Sequence, residues 1–182
     1  MSENLNVETF NNGDPIPQAT NVDAWYKASY QDKTPVWCYY SFDEGKGKIY
    51  GKLYNWYAIN DPRGIAPDGW RIPTQSDFEK LLNYTTTNFE EYAVALKSKE
   101  LWEKSNLHSG TNETGFNAIG GGFTNITGTC ENILEQTKFW TSTEYESLEN
   151  DQAYGLTLYL DLPPSLYSNL KAYGCYVRCV KE

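Results

Sequence analysis

Aromatic side chains constrain this chain most, because 6 Trp, 15 Tyr and 7 Phe among 182 residues must fill much of its interior. Buried Trp and Tyr need hydrogen-bond partners for their polar groups, which favours sheets and ordered loops over a leucine-rich helical bundle. The 14 Gly and 8 Pro favour the same outcome, since both residues form turns and end helices. The length is typical of one domain, so we expect a single domain over residues 1–182.

The charge balance is acidic, with a formal net charge of −9 and a pI of about 4.7. Nucleic acids and membrane surfaces are themselves negative, and the chain has no Lys/Arg-rich run, so we expect no nucleic-acid partner. No apolar stretch approaches the roughly 18 residues of a membrane span. Residues 1–10 are polar and acidic, without the basic start and apolar stretch of a signal peptide.

The clearest local pattern follows the tetrapeptide Trp-Arg-Ile-Pro at residues 70–73. It predicts a helix that begins at Thr74, because Thr74 and Asp77 have the spacing of a capping box. Three apolar residues then recur at i, i+3 and i+4, which predicts one stripe facing a core. These residues are Phe78, Leu81 and Leu82.

Further short elements complete the prediction of an α+β fold. We expect helices over residues 21–29, capped by Asn21, and over residues 89–97. We expect strands over residues 36–42, 139–145, 153–160 and 173–180, and a turn over residues 43–48. For residues 49–59 the type stays ambiguous: the spacing of the apolar residues fits a helix, whereas the amino-acid composition fits a strand.

Four cysteines allow between zero and two disulfides, and the chain has one histidine, His108. Cys175 and Cys179 lack the spacing typical of a zinc site, so buried thiols or a structural bridge are favoured over a metal. His108 lies in a polar, loop-like context without a nucleophile motif, which favours a loop histidine over a general base.

Several separated motifs together resemble one family, the Fibrobacter succinogenes major paralogous domain. They are GKLYNWYAINDPRGIAPDGWRIPTQSDFEKLL (51–82), TNETGFNAIGGGFTN (111–125), FWTSTEY (139–145) and YVRCV (176–180), and the opening at 2–17 is similar too. The resemblance implies a C-type-lectin-like α+β domain: short helices flanking small twisted antiparallel sheets, adjacent termini and long loops. It also implies an extracellular or cell-envelope location and a distant relation to the formylglycine-generating-enzyme fold.

The cysteines of this chain do not have the spacing found in formylglycine-generating oxidases. Formylglycine-generating enzymes use a copper-binding pair spaced C-x4-C before the closing strand, whereas residues 153–173 contain no cysteine here. Cys175 and Cys179 are spaced C-x3-C, and Cys179 matches the closing-strand cysteine. We therefore expect no enzymatic activity, and oxidase activity ranks third among the hypotheses.

The resemblance also raises calcium-dependent sugar binding, but the lectin tripeptides Glu-Pro-Asn and Gln-Pro-Asp are both absent. We expect no cofactor. A structural calcium in an oxygen-rich loop such as Asn60-Asp61 remains open.

Ligand contact is predicted for residues 144–173, which are rich in Tyr and Asn. Such loops make large contacts at low entropic cost. The candidates are Glu144, Tyr145, Asn150, Asp151, Tyr167, Asn169 and Tyr173. The alternative is that these tyrosines pack the second sheet.

Two classes of function follow, and the oligomeric state stays open in both. The first is a surface or extracellular binding module for a glycan or protein, which a concave groove lined by aromatic residues would favour. The second is a structural or assembly component of a surface fibre or injection apparatus, which a flat apolar patch near Met1 would favour.

The resemblance suggests a disulfide pairing as well. Cysteine is expected at Cys38 and Cys179 in similar domains, whereas Cys130 and Cys175 stand where relatives usually carry an aromatic residue. We therefore rank the pairs 130–175 and 38–179 first among the three full pairings. Four reduced thiols are the alternative, favoured in a cytosolic protein.

Overall fold

The structure is a computed structural model that describes residues 1–88, 92–104, 110–146, 148–149 and 151–182. The described helices are α1 (Val22–Tyr26), α2 (Glu44–Tyr50), α3 (Trp56–Ile59), α4 (Gln75–Asn88) and α5 (Tyr92–Leu96). The described strands are β1 (Trp37–Cys38), β2 (Leu53–Tyr54), β3 (Trp70–Arg71), β4 (Gly121–Thr124), β5 (Cys130–Ile133), β6 (Gln136–Glu144), β7 (Gln152–Tyr159), β8 (Ser165–Leu170) and β9 (Val180–Lys181). This arrangement confirms the predicted α+β class.

Helix α4 begins as the capping box predicts. The Thr74 backbone N–H donates to the Asp77 carboxylate at 2.8 Å, and the Asp77 N–H donates to Thr74 Oγ1 at 3.3 Å. Phe78 is buried, while Leu81 and Leu82 are half-buried against the same core cluster. The stripe therefore faces the core as expected.

The first helix is longer and less regular than predicted. Asn21 caps α1 by accepting from the Ala24 N–H at 2.9 Å, as expected. The chain then continues as a π-helical turn, Lys27–Gln31, in which the Asp32 N–H donates to the Lys27 carbonyl at 2.8 Å. Wide turns of this kind are rare and frequently occur at functional sites.

Residues 36–50 differ most from the prediction. The strand expected over 36–42 is limited to β1, followed by a 3-10 turn, Tyr40–Phe42. The expected turn over 43–48 is instead helix α2, because Asp43 caps the N–H groups of Gly45 and Lys46. The ambiguous residues 49–59 contain both types, the strand β2 and the helix α3.

The main sheet has five strands in the order β5-β4-β6-β7-β8. Strand β4 pairs in parallel with β6, and the other pairs are antiparallel. The strands expected over residues 139–145 and 153–160 are present as β6 and β7, whereas β8 was not predicted. The expected closing strand over 173–180 mostly forms isolated bridges, and regular pairing is limited to β9 with β3.

The interior is aromatic, as the composition requires. Two clusters of buried residues lie in it, one around Trp140 and Tyr54 and the other around Trp25 and Phe139. Three buried lysines place their ammonium groups over aromatic rings, at 4.5 to 5.3 Å from the ring centroid. The pairs are Lys52 on Trp37, Lys97 on Trp102 and Lys171 on Trp56.

The two ends of the chain lie side by side, since the Met1 amino group donates to the Cys179 carbonyl at 2.9 Å. In the part of the chain that the structure describes, no helix combines the length and apolar character needed to cross a membrane.

Candidate functional site

Two of the predicted contact residues converge on Lys171, at the end of β8. The Lys171 ammonium donates to the Glu144 carboxylate, and the Lys171 backbone N–H donates to the Asp151 carbonyl at 2.7 Å. The Lys171 carbonyl in turn accepts from the Trp56 N–H at 2.9 Å. Lys171 thus fixes Asp151 beside the start of α3.

Three other predicted residues gather around Lys138 of β6. Its ammonium donates to Asn169 Oδ1 at 2.8 Å and lies 5.3 Å from the centre of the Tyr173 ring. Asn169 Nδ2 donates to the Tyr167 carbonyl at 3.2 Å. Asn169 is buried and Tyr173 stacks on Phe123, so both serve packing, while Tyr167 is 72% exposed.

The remaining two predicted residues contribute less. Tyr145 packs edge-on against Tyr154, with ring centroids 5.4 Å apart. Asn150 lies outside the described residues, as do His108 and Phe89, where the second predicted helix was to begin.

Asp151 lines a cleft of about 280 Å³ that the sequence did not predict. The cleft lies between the π-helical turn, the start of α3 and the chain around β7 and β8. Its lining comprises Ser29, Tyr30, Lys33, Tyr57, Glu149, Asp151, Leu170 and Ala172. Two phenol rings, two carboxylates and one ammonium group therefore surround a concave surface.

The buried residue Asn55 holds the walls of this cleft together. Its side-chain amide donates to Ser29 Oγ at 3.1 Å and to the Thr34 carbonyl at 2.7 Å. Its Oδ1 accepts from the N–H groups of Val36 and Ala58 at 3.1 and 3.0 Å, the second of which caps α3. One side chain thus ties the π-helical turn to β1 and α3.

The two tyrosines differ in what they offer a ligand. Tyr30 is 47% exposed, and its ring stacks on Tyr26 at a centroid distance of 5.3 Å, which fixes an open aromatic face. Tyr57 is half-buried, and burial, followed by the charge of Asp151, raises the pKa of its hydroxyl. Among the described residues none hydrogen-bonds to the Tyr57 hydroxyl, so it is a neutral donor available to a ligand.

Comparison with known proteins assigns the chain to a family. Residues 1–181 match the family described as the Fibrobacter succinogenes major domain. The chain belongs to this family. The resemblance found in the sequence motifs is therefore confirmed.

No curated protein matches this family member, and no solved structure matches it. The family description names no activity, so its function has to be argued from its own site.

Sequence reasoning missed the N-terminal half of the cleft in this Fibrobacter succinogenes major domain. Tyr30 and Tyr57 lie far from residues 144–173 in the sequence. The fold places them in one cleft with Asp151, and the hydrogen bonds of Asn55 and Lys171 help to hold this arrangement. The spacing of Tyr26 and Tyr30, i and i+4, was the available indication that one ring supports the other.

In the loop Asn60-Asp61, considered above for calcium, the Asp61 carboxylate pairs with an arginine. Both oxygens of Asp61 accept from the Arg63 guanidinium, at 2.8 and 2.9 Å, and this pairing lowers the pKa of Asp61. Arg63 also bonds to Asp14 at 3.1 Å. Within the described ranges no group of three or more His, Cys, Asp or Glu is placed to hold a metal ion.

The predicted disulfides are not formed, because all four cysteines are free. Thr124 of β4 pairs with Cys130 on one side and with Gly174, the neighbour of Cys175, on the other. Two strand spacings, about 10 Å in total, therefore separate Cys130 from the segment of Cys175. A disulfide needs Cα atoms within about 7 Å, so the predicted pair 130–175 is wrong.

The second predicted pair is not supported either. Cys38 is buried in the cluster around Trp25 and Phe139, whereas Cys179 is buried in the cluster around Trp140 and Tyr54. Cys38 instead lies near Cys130, since Thr124 Oγ1 is 3.7 Å from Cys38 Sγ and 3.1 Å from Cys130 Sγ.

Proposed function

We propose that this domain is a non-catalytic binding module that holds one sugar unit of a glycan in the cleft between Tyr30, Tyr57 and Asp151. The observation that carries the proposal is the pairing of an open aromatic face with a free phenol hydroxyl and a carboxylate in one concave site. A sugar ring offers an apolar face for stacking and hydroxyl groups that both donate and accept.

The size of the cleft supports a small ligand. Ligand pockets usually measure about 300–1,000 Å³, so a cleft of about 280 Å³ suits a single ring or side chain rather than a long chain. The remaining units of a glycan would extend into solvent past Lys33 and Glu149, which are exposed.

The rigid construction of the cleft supports binding as well. The hydrogen bonds of Asn55 and the backbone contacts of Lys171 fix both walls before a ligand arrives. A preformed site loses less conformational entropy on binding. The adjacent termini agree with the C-type-lectin-like architecture that the family resemblance implies, and that architecture is part of the proposal.

A glycan array probed with the purified domain tests this function. We expect binding to a limited set of glycans that share one sugar unit. Tyr57→Phe, which removes only the hydroxyl, should weaken that binding by roughly 2- to 10-fold, the equivalent of one hydrogen bond worth about 0.5–1.5 kcal/mol. Tyr30→Ala should weaken it by roughly tenfold through loss of stacking.

Tyr167→Ala is the matched control, because Tyr167 is an exposed tyrosine of β8 that does not line the cleft. Its binding should equal that of the wild type. Binding that depends on Tyr167 and not on Tyr30 would place the site at the Lys138 cluster. Binding to no glycan would overturn the proposal and favour a protein ligand or a role in assembly.

A further inference from the structure

Two of the four cysteines contact the same hydroxyl group. Thr124 Oγ1 lies 3.1 Å from Cys130 Sγ and 3.7 Å from Cys38 Sγ. The two sulfur atoms are therefore no more than about 7 Å apart.

The fold creates this proximity from distant parts of the chain. Cys130 lies opposite Thr124 in the β4–β5 pair, where side chains share one face of the sheet. Cys38 ends β1 and is fully buried, whereas Cys130 is half-buried. A reagent from solvent therefore meets Cys130 first.

The surroundings of Cys130 supply hydrogen-bond donors to its sulfur. The backbone N–H of the exposed residue Ser41 donates to Cys130 Sγ at 3.0 Å, and the Thr124 hydroxyl lies within donating distance. Both Ser41 and Phe42 have a positive φ, 54° and 58°. Residues other than glycine rarely adopt this conformation, and such strain is concentrated at functional sites.

We propose that Cys130 and Cys38 form a redox site, in which a peroxide oxidises Cys130 and Cys38 then closes a disulfide with it. In the first step the Cys130 thiolate attacks one oxygen of hydrogen peroxide, the O–O bond breaks, and a sulfenic acid and hydroxide result. In the second step Cys38 sulfur attacks the sulfenic sulfur, the S–O bond breaks, and the hydroxide that leaves takes up the Cys38 proton as water. The two thiols lose two electrons in total, and the peroxide is reduced to two water molecules.

The other two cysteines are poor candidates for this chemistry. Both are buried in the cluster around Trp140 and Tyr54. Burial raises the pKa of Cys175 to about 12 and that of Cys179 to about 11, so neither attacks peroxide as a thiolate. Burial also raises the pKa of Cys38, so Cys38 takes part only in the second step, with the sulfenic acid already formed beside it.

The test is to treat the reduced full chain with hydrogen peroxide and to map disulfides by mass spectrometry of peptides without reduction. We expect the loss of two free thiols from four, with a single bridge between Cys38 and Cys130. With Cys38→Ser, Cys130 should remain as a sulfenic acid that dimedone traps. Cys175→Ser is the control and should form the same bridge as the wild type.

Three results would overturn the proposal. They are a bridge that includes Cys175 or Cys179, dimedone labelling at a cysteine other than Cys130, and retention of all four thiols. The intact mass of the folded protein provides an independent readout, because an internal bridge removes two hydrogen atoms.

Discussion

Substitution of Asp77 tests how the first turn of helix α4 is held in place. Its carboxylate accepts from the Thr74 N–H and hydroxyl, both at 2.8 Å, and from two nitrogens of Arg71 at 2.6 and 2.9 Å. These bonds join β3, which holds Arg71, to the first turn of α4. They also lower the pKa of Asp77, with the Arg71 guanidinium the largest cause.

The expected loss can be worked out from these contacts. The capping interaction contributes about 0.5–2 kcal/mol, and the ion pair about 0.5–1 kcal/mol because Arg71 is 41% exposed and screened by water. Asp77→Ala should therefore lose about 1–3 kcal/mol, which lowers Tm by about 2–4 °C for each kcal/mol in a chain of this length. Thr74→Ala, which removes the cap and keeps the ion pair, should lose only about 0.5–2 kcal/mol.

The contribution of Asp77 to the stability of the fold decreases at low pH. Because the folded pKa of Asp77 is lowered, its contribution is fully present above its unfolded value near 4 and is lost as the pH falls through the folded value. The stability difference between the wild type and Asp77→Asn should thus be constant from pH 5 to 8 and should shrink below about pH 4.

Thermal unfolding followed by circular dichroism at pH 7 and pH 3 measures both effects. Glu79→Gln is the control, since Glu79 is an exposed carboxylate of the same helix that bonds only to Gln75 in the described structure. It should change Tm by less than about 2 °C. An Asp77→Ala variant as stable as the wild type at pH 7 would show that these bonds do not stabilise α4.

Three further predictions use other parts of the chain. Asn55→Ala should lower stability by about 1–3 kcal/mol in urea unfolding, because it leaves the buried Val36 N–H without its partner. Gly121→Ala should cost about 1–3 kcal/mol by the same assay, since its Cβ would lie 2.6 Å from the Tyr176 ring. Incubation with a sulfatase-type cysteine peptide, with or without copper, should yield no formylglycine by mass spectrometry. Turnover that Cys175→Ser or Cys179→Ser abolishes would contradict the non-catalytic assignment.

The parts of the fold that the sequence predicts are those determined by neighbouring residues. The cap of α4 depends on Thr74 and Asp77, three residues apart, and the cap of α1 on Asn21 and Ala24. Strands β6 and β7 follow from their β-branched and aromatic residues.

Helix α2 shows why local patterns fail elsewhere. The glycines at 45 and 47 indicate a turn, but at Gly47 a Cβ would lie only 2.1 Å from the Tyr39 ring. Gly47 is therefore small to admit a tertiary neighbour, and the Asp43 cap is sufficient to begin the helix. Only the folded chain shows whether a glycine forms a turn or makes room for a neighbouring side chain.

The candidate site was predictable only in part, because local sequence patterns do not show contacts between distant residues. Asp151 was predicted and lines the cleft, whereas Tyr30 and Tyr57 reach it through contacts between residues far apart in sequence. Tyr167, Asn169 and Tyr173 were predicted as one group and do gather, but around Lys138 rather than around an open cleft.

Sugar binding in the cleft between Tyr30, Tyr57 and Asp151 can be observed at the tyrosines themselves. The experiment is nuclear magnetic resonance of the domain with isotope-labelled tyrosine, titrated with the sugar unit shared by the bound glycans. We expect the resonances of Tyr30 and Tyr57 to shift together on saturation and that of Tyr167 to stay unchanged. Shifts confined to Tyr167 and Tyr173, or none at saturating sugar, would contradict binding in this cleft.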